Sequence, residues 1–247
     1  MFFPSHHPEC IECNQPINGH YYKDIWGNAI CSKHYRGYCH CCGRLRSKRD
    51  ATPENQRIDP DSRYCSSCLS TSVVSMSAKT PDLLREHLNY ILKKLAEIGI
   101  NLDPHNISIR LAPAKVLKER VSRTSRPIGL AQTVYRNGKM YHTILLQDGM
   151  PKIIFIEVLS HELGHVWINE NDLDKRLTQQ EDEGFCELIA YHMMKLSASK
   201  VGDNIADNLI KNSDPIYGEG LRIMKARKDK LGWEKMIINM HRYPVKR

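Results

Sequence analysis

Eight of the nine cysteines of this 247-residue chain lie within its first 68 residues, and most of them come as close pairs. That distribution separates a small module from the remainder, and in so short a stretch it points to metals or disulfides as what holds the module together. Cys10 and Cys13 form a CxxC pair, Cys31 and His34 a CxxH pair, and together they supply four ligands for tetrahedral zinc. Cys39 and Cys42 begin a second set that Cys65 and Cys68 complete as a four-thiolate site. Cys41, between two ligands and with no base beside it, is left as a spare thiol. Against a disulfide framework, Met1-Phe2-Phe3-Pro4 offers neither the basic start nor the long apolar segment of a secretory signal. The expectation is a cytoplasmic protein with two structural zinc ions here.

Two consecutive four-ligand sites joined by a short bridge resemble a LIM domain over about residues 8–70. Closed tetrahedral sites leave no position for substrate, so these metals fold the module and perform no chemistry; its role is then contact with a protein partner or regulation. From Ser70 to Thr80 the composition turns to small polar residues. The expected organisation is a zinc-binding module at 1–70, a linker at 71–80 and a second domain at 81–247. No run approaches the ~20 apolar residues of a membrane span, so no membrane partner is expected. The formal charge of +8 becomes about +7 once two structural sites and one catalytic site are filled. Lys and Arg are scattered without a dense block, so nucleic acid is not expected as a partner.

Beyond the linker, Thr80 can cap a helix with Pro81 at its first position, and Leu84, Leu88, Ile91, Leu92, Leu95 and Ile98 recur on one face until Gly99. Ile107, Ile109 and Leu111 alternate as in a half-buried strand, and a hairpin brackets Asn137-Gly138. The strand carrying Tyr141, Thr143 and Leu145 runs toward the next helix; it is expected either as an edge strand that pairs with substrate backbone or as a plain structural hairpin. The fold class is α+β, with the C-terminal pattern around Leu221, Ile223, Met224, Trp233, Met236 and Ile237 forming helices that complete the core.

Pro151 opens a buried helix that contains His161-Glu162-Leu163-Gly164-His165. The four-residue step of this HExxH motif puts both imidazoles on one helical face, close enough to share a metal, with Glu162 beside them as general base toward a metal-activated water. A third ligand is needed. Thr178-Gln179-Gln180-Glu181 reads as a capping box that starts another helix, with Glu183 in its first turns and Glu187 at i+4. Glu181 and Asp182 compete for the ligand role, Glu181 as the helix cap and Asp182 turned about 100° around the helix from Glu183. Cys186 reads as a packed thiol. Tyr217 and His192 are candidate donors to an oxyanion, chosen by residue type.

The E-x-x-x-E pair resembles the third-ligand helix of gluzincin peptidases, and that resemblance implies that Glu183 binds catalytic zinc while Glu187 orients a ligand histidine. The LIM-like module, His161 to Trp167, Asp182-Glu183-Gly184-Phe185-Cys186 and Tyr217-Gly218-Glu219-Gly220 together resemble the DA-one family of LIM peptidases, over most of the chain. The resemblance implies a compact gluzincin-like metallopeptidase domain behind the zinc module, with one catalytic and two structural zinc ions and protein or peptide substrates. Gly164 stands where the plant form has a bulkier residue. The sequence opens directly on the zinc pair, without upstream ubiquitin-binding helices, so regulation through ubiquitin is not carried over. Two other readings stay open: an idle LIM-type adaptor, and a DNA-associated SprT-like protease whose third ligand is a histidine.

Overall fold

A computed structural model describes residues 7–74, 80–120 and 128–245. The chain divides into two compact units, Met1–Ser72 and Val73–Arg247. The first holds strands β1 (Tyr21–Lys23) and β2 (Ala29–Cys31), which form an antiparallel hairpin, and two short helices, α1 (Pro53–Ile58) and α2 (Ser66–Leu69). Its apolar core centres on Ile17, Ala29, Ile30 and Leu45. Asp24 organises it: the buried carboxylate accepts from the Trp26, Asn28 and Leu45 N–H groups, each at 2.9 Å, and from Asn28 Nδ2 at 2.8 Å. Burial alone would raise the Asp24 pKa, but these donors hold it below the usual carboxylate value.

The second unit runs from Val73, the last residue of β3 (Ser72–Val73), through α3 (Thr80–Ala96), β4 (Ile107–Ala112), α4 (Ala114–Arg120), β5 (Gly129–Arg136), β6 (Lys139–Gln147) and β7 (Met150–Pro151), to helices α5 (Lys152–Glu170), α6 (Gln179–Leu196), α7 (Lys200–Lys211) and α8 (Tyr217–His241). Strand β3 pairs with β7, and the Val73 carbonyl accepts from the Gly149 N–H at 2.9 Å. Of the linker expected at 71–80, Ser72 and Val73 lie in β3, and residues 75–79 lie outside the described residues. Thr80 opens α3 and its hydroxyl donates to the Val74 carbonyl at 2.9 Å. The chain is a mixed α+β structure, with a cysteine-rich unit preceding a sheet-and-helix unit.

A three-stranded sheet has the order β4-β6-β5, with β4 parallel and β5 antiparallel to β6. The expectation that Tyr141, Thr143 and Leu145 lie on an edge strand is therefore overturned. They belong to β6, which is central, because β4 claims the edge of β6 that the hairpin leaves free. The hairpin itself turns at Asn137 (φ 49°) and Gly138 (φ 77°), the two left-handed positions that suit the twist of the flanking strands. Helix α5 is apolar nearly all round, which fits its position between the sheet and α6. Buried His142 ties the sheet to the end of α5, its Nδ1 2.9 Å from Thr133 Oγ1 and its Nε2 3.1 Å from Glu170 Oε1.

Candidate metal centre

Among the described residues three clusters could hold metal ions, and two of them lie in the first unit. Cys10, Cys13, Cys31 and His34 converge, with His34 Nδ1 3.1 Å from Cys31 Sγ and 3.6 Å from Cys10 Sγ. Burial would raise the Cys10 thiol, but backbone N–H groups and His34 bring it down to about 6. Cys39, Cys42, Cys65 and Cys68 form the second cluster, with Cys42 and Cys65 sulfurs 3.7 Å apart. One thiolate there is strongly favoured: hydrogen bonds from its neighbours drive Cys39 far below the usual thiol value. Such crowding of sulfur suits a thiophilic cation such as zinc. Cys41 is buried beside this cluster and in reach of Cys68.

The third cluster is built where α5 crosses α6. The four-residue step on α5 brings the rings of His161 and His165 to 5.0 Å, edge to face. Their Nε2 atoms both point at one carboxylate oxygen, Glu183 Oε2, at 3.3 and 3.4 Å. Their Nδ1 atoms face the other way, toward acids of the same helix: His161 Nδ1 is 3.4 Å from Glu187 Oε1, and Asp182 Oδ1 accepts from His165 Nδ1 at 2.9 Å. Burial would push both histidines down, but Glu183 and Glu187 around His161, and Cys186, Asp182 and Glu183 around His165, hold them well above the ordinary histidine value. Reciprocally, the two imidazoles outweigh burial and hold Glu183 strongly ionised. A site that draws a carboxylate and two imidazoles together this tightly has the donor set of a divalent cation.

Cys186 offers a competing third donor, since His161, His165 and Cys186 also present ligand atoms within 4.8 Å of one another. Its sulfur, however, approaches His165 at Nδ1, 3.3 Å away, on the side that Asp182 already occupies. Glu183 instead meets the Nε2 side of both rings. The packed thiol expected from sequence is thus a neighbour of the site, and the acid set aside as a ligand, Asp182, is a partner of His165. The signal for that second role was its position one residue before Glu183, on the flank of α6 turned toward the later histidine. No third histidine joins the pair among the described residues; the group beside them is Glu183.

Close helix approaches fix this geometry. A Cβ on Gly164 would sit 2.8 Å from Cys186 Sγ and 3.0 Å from Cys186 Cα, so glycine inside the HExxH motif is what lets α6 approach α5. A Cβ on Gly184 would fall 2.4 Å from the Gly220 carbonyl, so α6 and α8 touch backbone to backbone directly after Glu183. That approach brings the start of α8 over the site: the Tyr217 hydroxyl donates to Glu183 Oε1 at 3.4 Å, and its ring lies 6.3 Å from that of His161. His192, the other donor proposed from sequence, packs edge-on against Trp233 at 5.3 Å instead.

Glu162 is buried against β5, and burial raises its pKa. The Ala131 backbone hydrogen-bonds its carboxylate, and a Cβ on Gly129 would fall 2.5 Å from its Oε1. Glu157, one turn before His161, was not singled out by sequence; burial and the nearby Glu187 push its carboxyl up to about 8. The edge of the site is therefore β5. Gln147 donates to the Ile128 carbonyl, which sets the phase of the ladder. Ile128, Leu130, Gln132 and Val134 bond to β6, leaving the main-chain groups of Ala131, Thr133 and Tyr135 on the outer edge of β5.

The sequence profile of the DA1-like family, described as Protein DA1, matches residues 114–206, a span that contains His161, Glu162, His165, Asp182, Glu183 and Glu187. The chain is similar to Protein DA1 of Arabidopsis thaliana, at 23% identity over an alignment covering 41% of this chain and 25% of the relative. The matched part thus amounts to about a quarter of that relative's length. No solved structure matches the chain. The two matches support a DA1-like relationship, and the profile match lies within the second unit.

Proposed function

We propose that the chain is a zinc-dependent peptidase of gluzincin type, in which His161, His165 and Glu183 hold the catalytic zinc and the cysteine-rich unit, with two structural zinc ions, makes protein contacts. The observation that carries this reading is the convergence of both Nε2 atoms on Glu183 Oε2, with buried Glu162 on the adjoining turn of the same helix. Three protein donors leave a fourth position for a reacting group, the arrangement of catalytic rather than structural zinc. Bound zinc supplies Lewis acidity, polarising a carbonyl oxygen and acidifying water.

The protein groups divide the remaining work. Glu162 accepts the proton of the attacking water and delivers it to the departing amine as the C–N bond breaks. Its burial raises its proton affinity, which suits a group that must both take and return a proton. Tyr217, already at the edge of the site, donates to the oxyanion when the substrate draws it from Glu183. Glu187 and Asp182 fix the ring orientations of His161 and His165. The outer edge of β5 takes the substrate as an added strand, through the free N–H and C=O groups of Thr133 and Tyr135.

Terminal-specific proteomics on a protein mixture treated with the zinc-loaded chain tests the reading. New protein termini are expected with wild type and not with Glu162→Gln, while both retain three zinc ions per chain. Equal products from the two proteins would remove Glu162 from the reaction and refute the mechanism, and none from either would refute the peptidase and favour the adaptor reading.

A further inference from the structure

On the outer face of the three-stranded sheet, which α4 with its Glu119 partly covers through Leu117, the strands themselves contribute cations and no acid. No residue of β4, β5 or β6 is Asp or Glu. Directly paired residues share a face of a sheet. The registers Arg136↔Lys139, Val134↔Tyr141 and Arg110↔Leu145 therefore put Arg110, Arg136, Lys139, Val134 and Tyr141 on one side, and all five are exposed. Arg136 and Lys139 lie directly opposite each other across the Asn137-Gly138 turn. Like charges so placed weaken a hairpin. Such a cation pair, with the apolar pair Val134 and Tyr141 one step below it, is complementary in charge to an acidic partner.

Strand β5 connects that surface to the candidate catalytic centre. Its Ala131 end touches Glu162, its outer edge is unpaired among the described residues, and its far end is Arg136. We propose that the cationic face selects acidic side chains of the peptide substrate, an inference that rests on the peptidase reading. An extended segment added to the edge of β5 sends every second side chain onto the outer face, where those opposite Val134 and Arg136 meet the Arg136 and Lys139 cations. Arg136 lies five residues along the strand from Ala131, and a strand rises ~3.4 Å per residue. Val134 lies three residues from Ala131, so the preferred acids fall about three to five residues from the scissile bond, on one side of it. The occupant is a peptide and not a nucleic acid because Arg136 belongs to the edge strand itself, whose outer main-chain groups an added strand can pair with.

The test uses the full zinc-loaded chain and matched peptide pairs that differ only in Asp/Glu or Asn/Gln at those positions. Wild type is expected to cleave the acidic peptide with a kcat/KM about fivefold higher, the effect of two to three cross-strand charge pairs. The ratio should fall toward one in 0.5 M salt and in R136A/K139A, and invert in R136E/K139E. Cleavage of both peptides at equal rates, or a preference that survives R136A/K139A, would overturn the proposal while leaving the peptidase intact. So would single-stranded DNA that competes at lower concentration than the acidic peptide. Cleavage of no peptide at all would overturn both.

Discussion

Asp182 Oδ1 accepts a hydrogen bond from His165 Nδ1 at 2.9 Å, and so fixes the ring whose Nε2 faces Glu183. Partners of this kind set the tautomer and raise the basicity of a ligand imidazole. On the proposed reading, Asp182→Ala should weaken zinc binding at the His161–His165 site by about 10- to 100-fold, with metal in the cysteine clusters unaffected. Asp182→Asn, which keeps an accepting oxygen, should fall between. Titration with a graded series of chelators reads both; an unchanged affinity in Asp182→Ala would remove the residue from the site.

Gly164→Ala should destabilise the second unit by about 1–3 kcal/mol, the range for forcing extra volume into a close-packed crossing. The new methyl meets Cys186 at both its sulfur and its backbone. Adding Cys186→Ala removes the sulfur clash but leaves the backbone α-carbon of that residue 3.0 Å from the methyl, so the double variant should recover only part of the loss. Urea unfolding followed by tryptophan fluorescence checks the series. Full tolerance of Gly164→Ala would mean that the two helices sit farther apart than described.

The Asp182–His165 bond and the Gly164–Cys186 crossing also mark how far the sequence could be read. Cysteine spacing announced both cysteine clusters of the first unit, since each pair is local. The helical step brought His161 and His165 to one face, and a capping box placed Glu183 within the next helix, where it is found. What periodicity could not supply was the meeting of elements distant in the chain. Whether β6 is central or at the edge depends on β4, whose parallel pairing leaves no mark in the hairpin sequence. The reach of Asp182 to His165 depends on the Gly164–Cys186 crossing, and that of Tyr217 to Glu183 on the close approach of Gly184 and Gly220. His192 illustrates the converse: its residue type suited an oxyanion donor, but its side of α6 faces Trp233.

His87 gives the fold a pH dependence of its own. It is buried on α3 beside the Phe155 ring at 5.6 Å, with its Nε2 lacking a partner among the described residues. Burial, and then the charge of Lys152, lower its pKa from the ordinary 6.5. The unfolded chain therefore binds the proton more readily. The stability that comes from keeping His87 neutral is complete above pH 6.5 and lost as pH falls from there through the lowered folded value. Wild type should lose stability relative to His87→Leu on going from pH 7.5 to pH 5. Urea midpoints of the two proteins at each pH provide the comparison, in which acid effects at the metal sites cancel. Parallel profiles would show that His87 is not depressed.

Anomalous diffraction at the zinc edge from crystals of the zinc-loaded protein addresses the central claim most directly. The account predicts an ion between α5 and α6 bonded to His161 Nε2 and His165 Nε2 at about 2.0–2.1 Å and to a Glu183 oxygen at about 2.0–2.2 Å, with the fourth position open toward Glu162. An ion bonded to Cys186, or one closed off by four protein ligands, would contradict it.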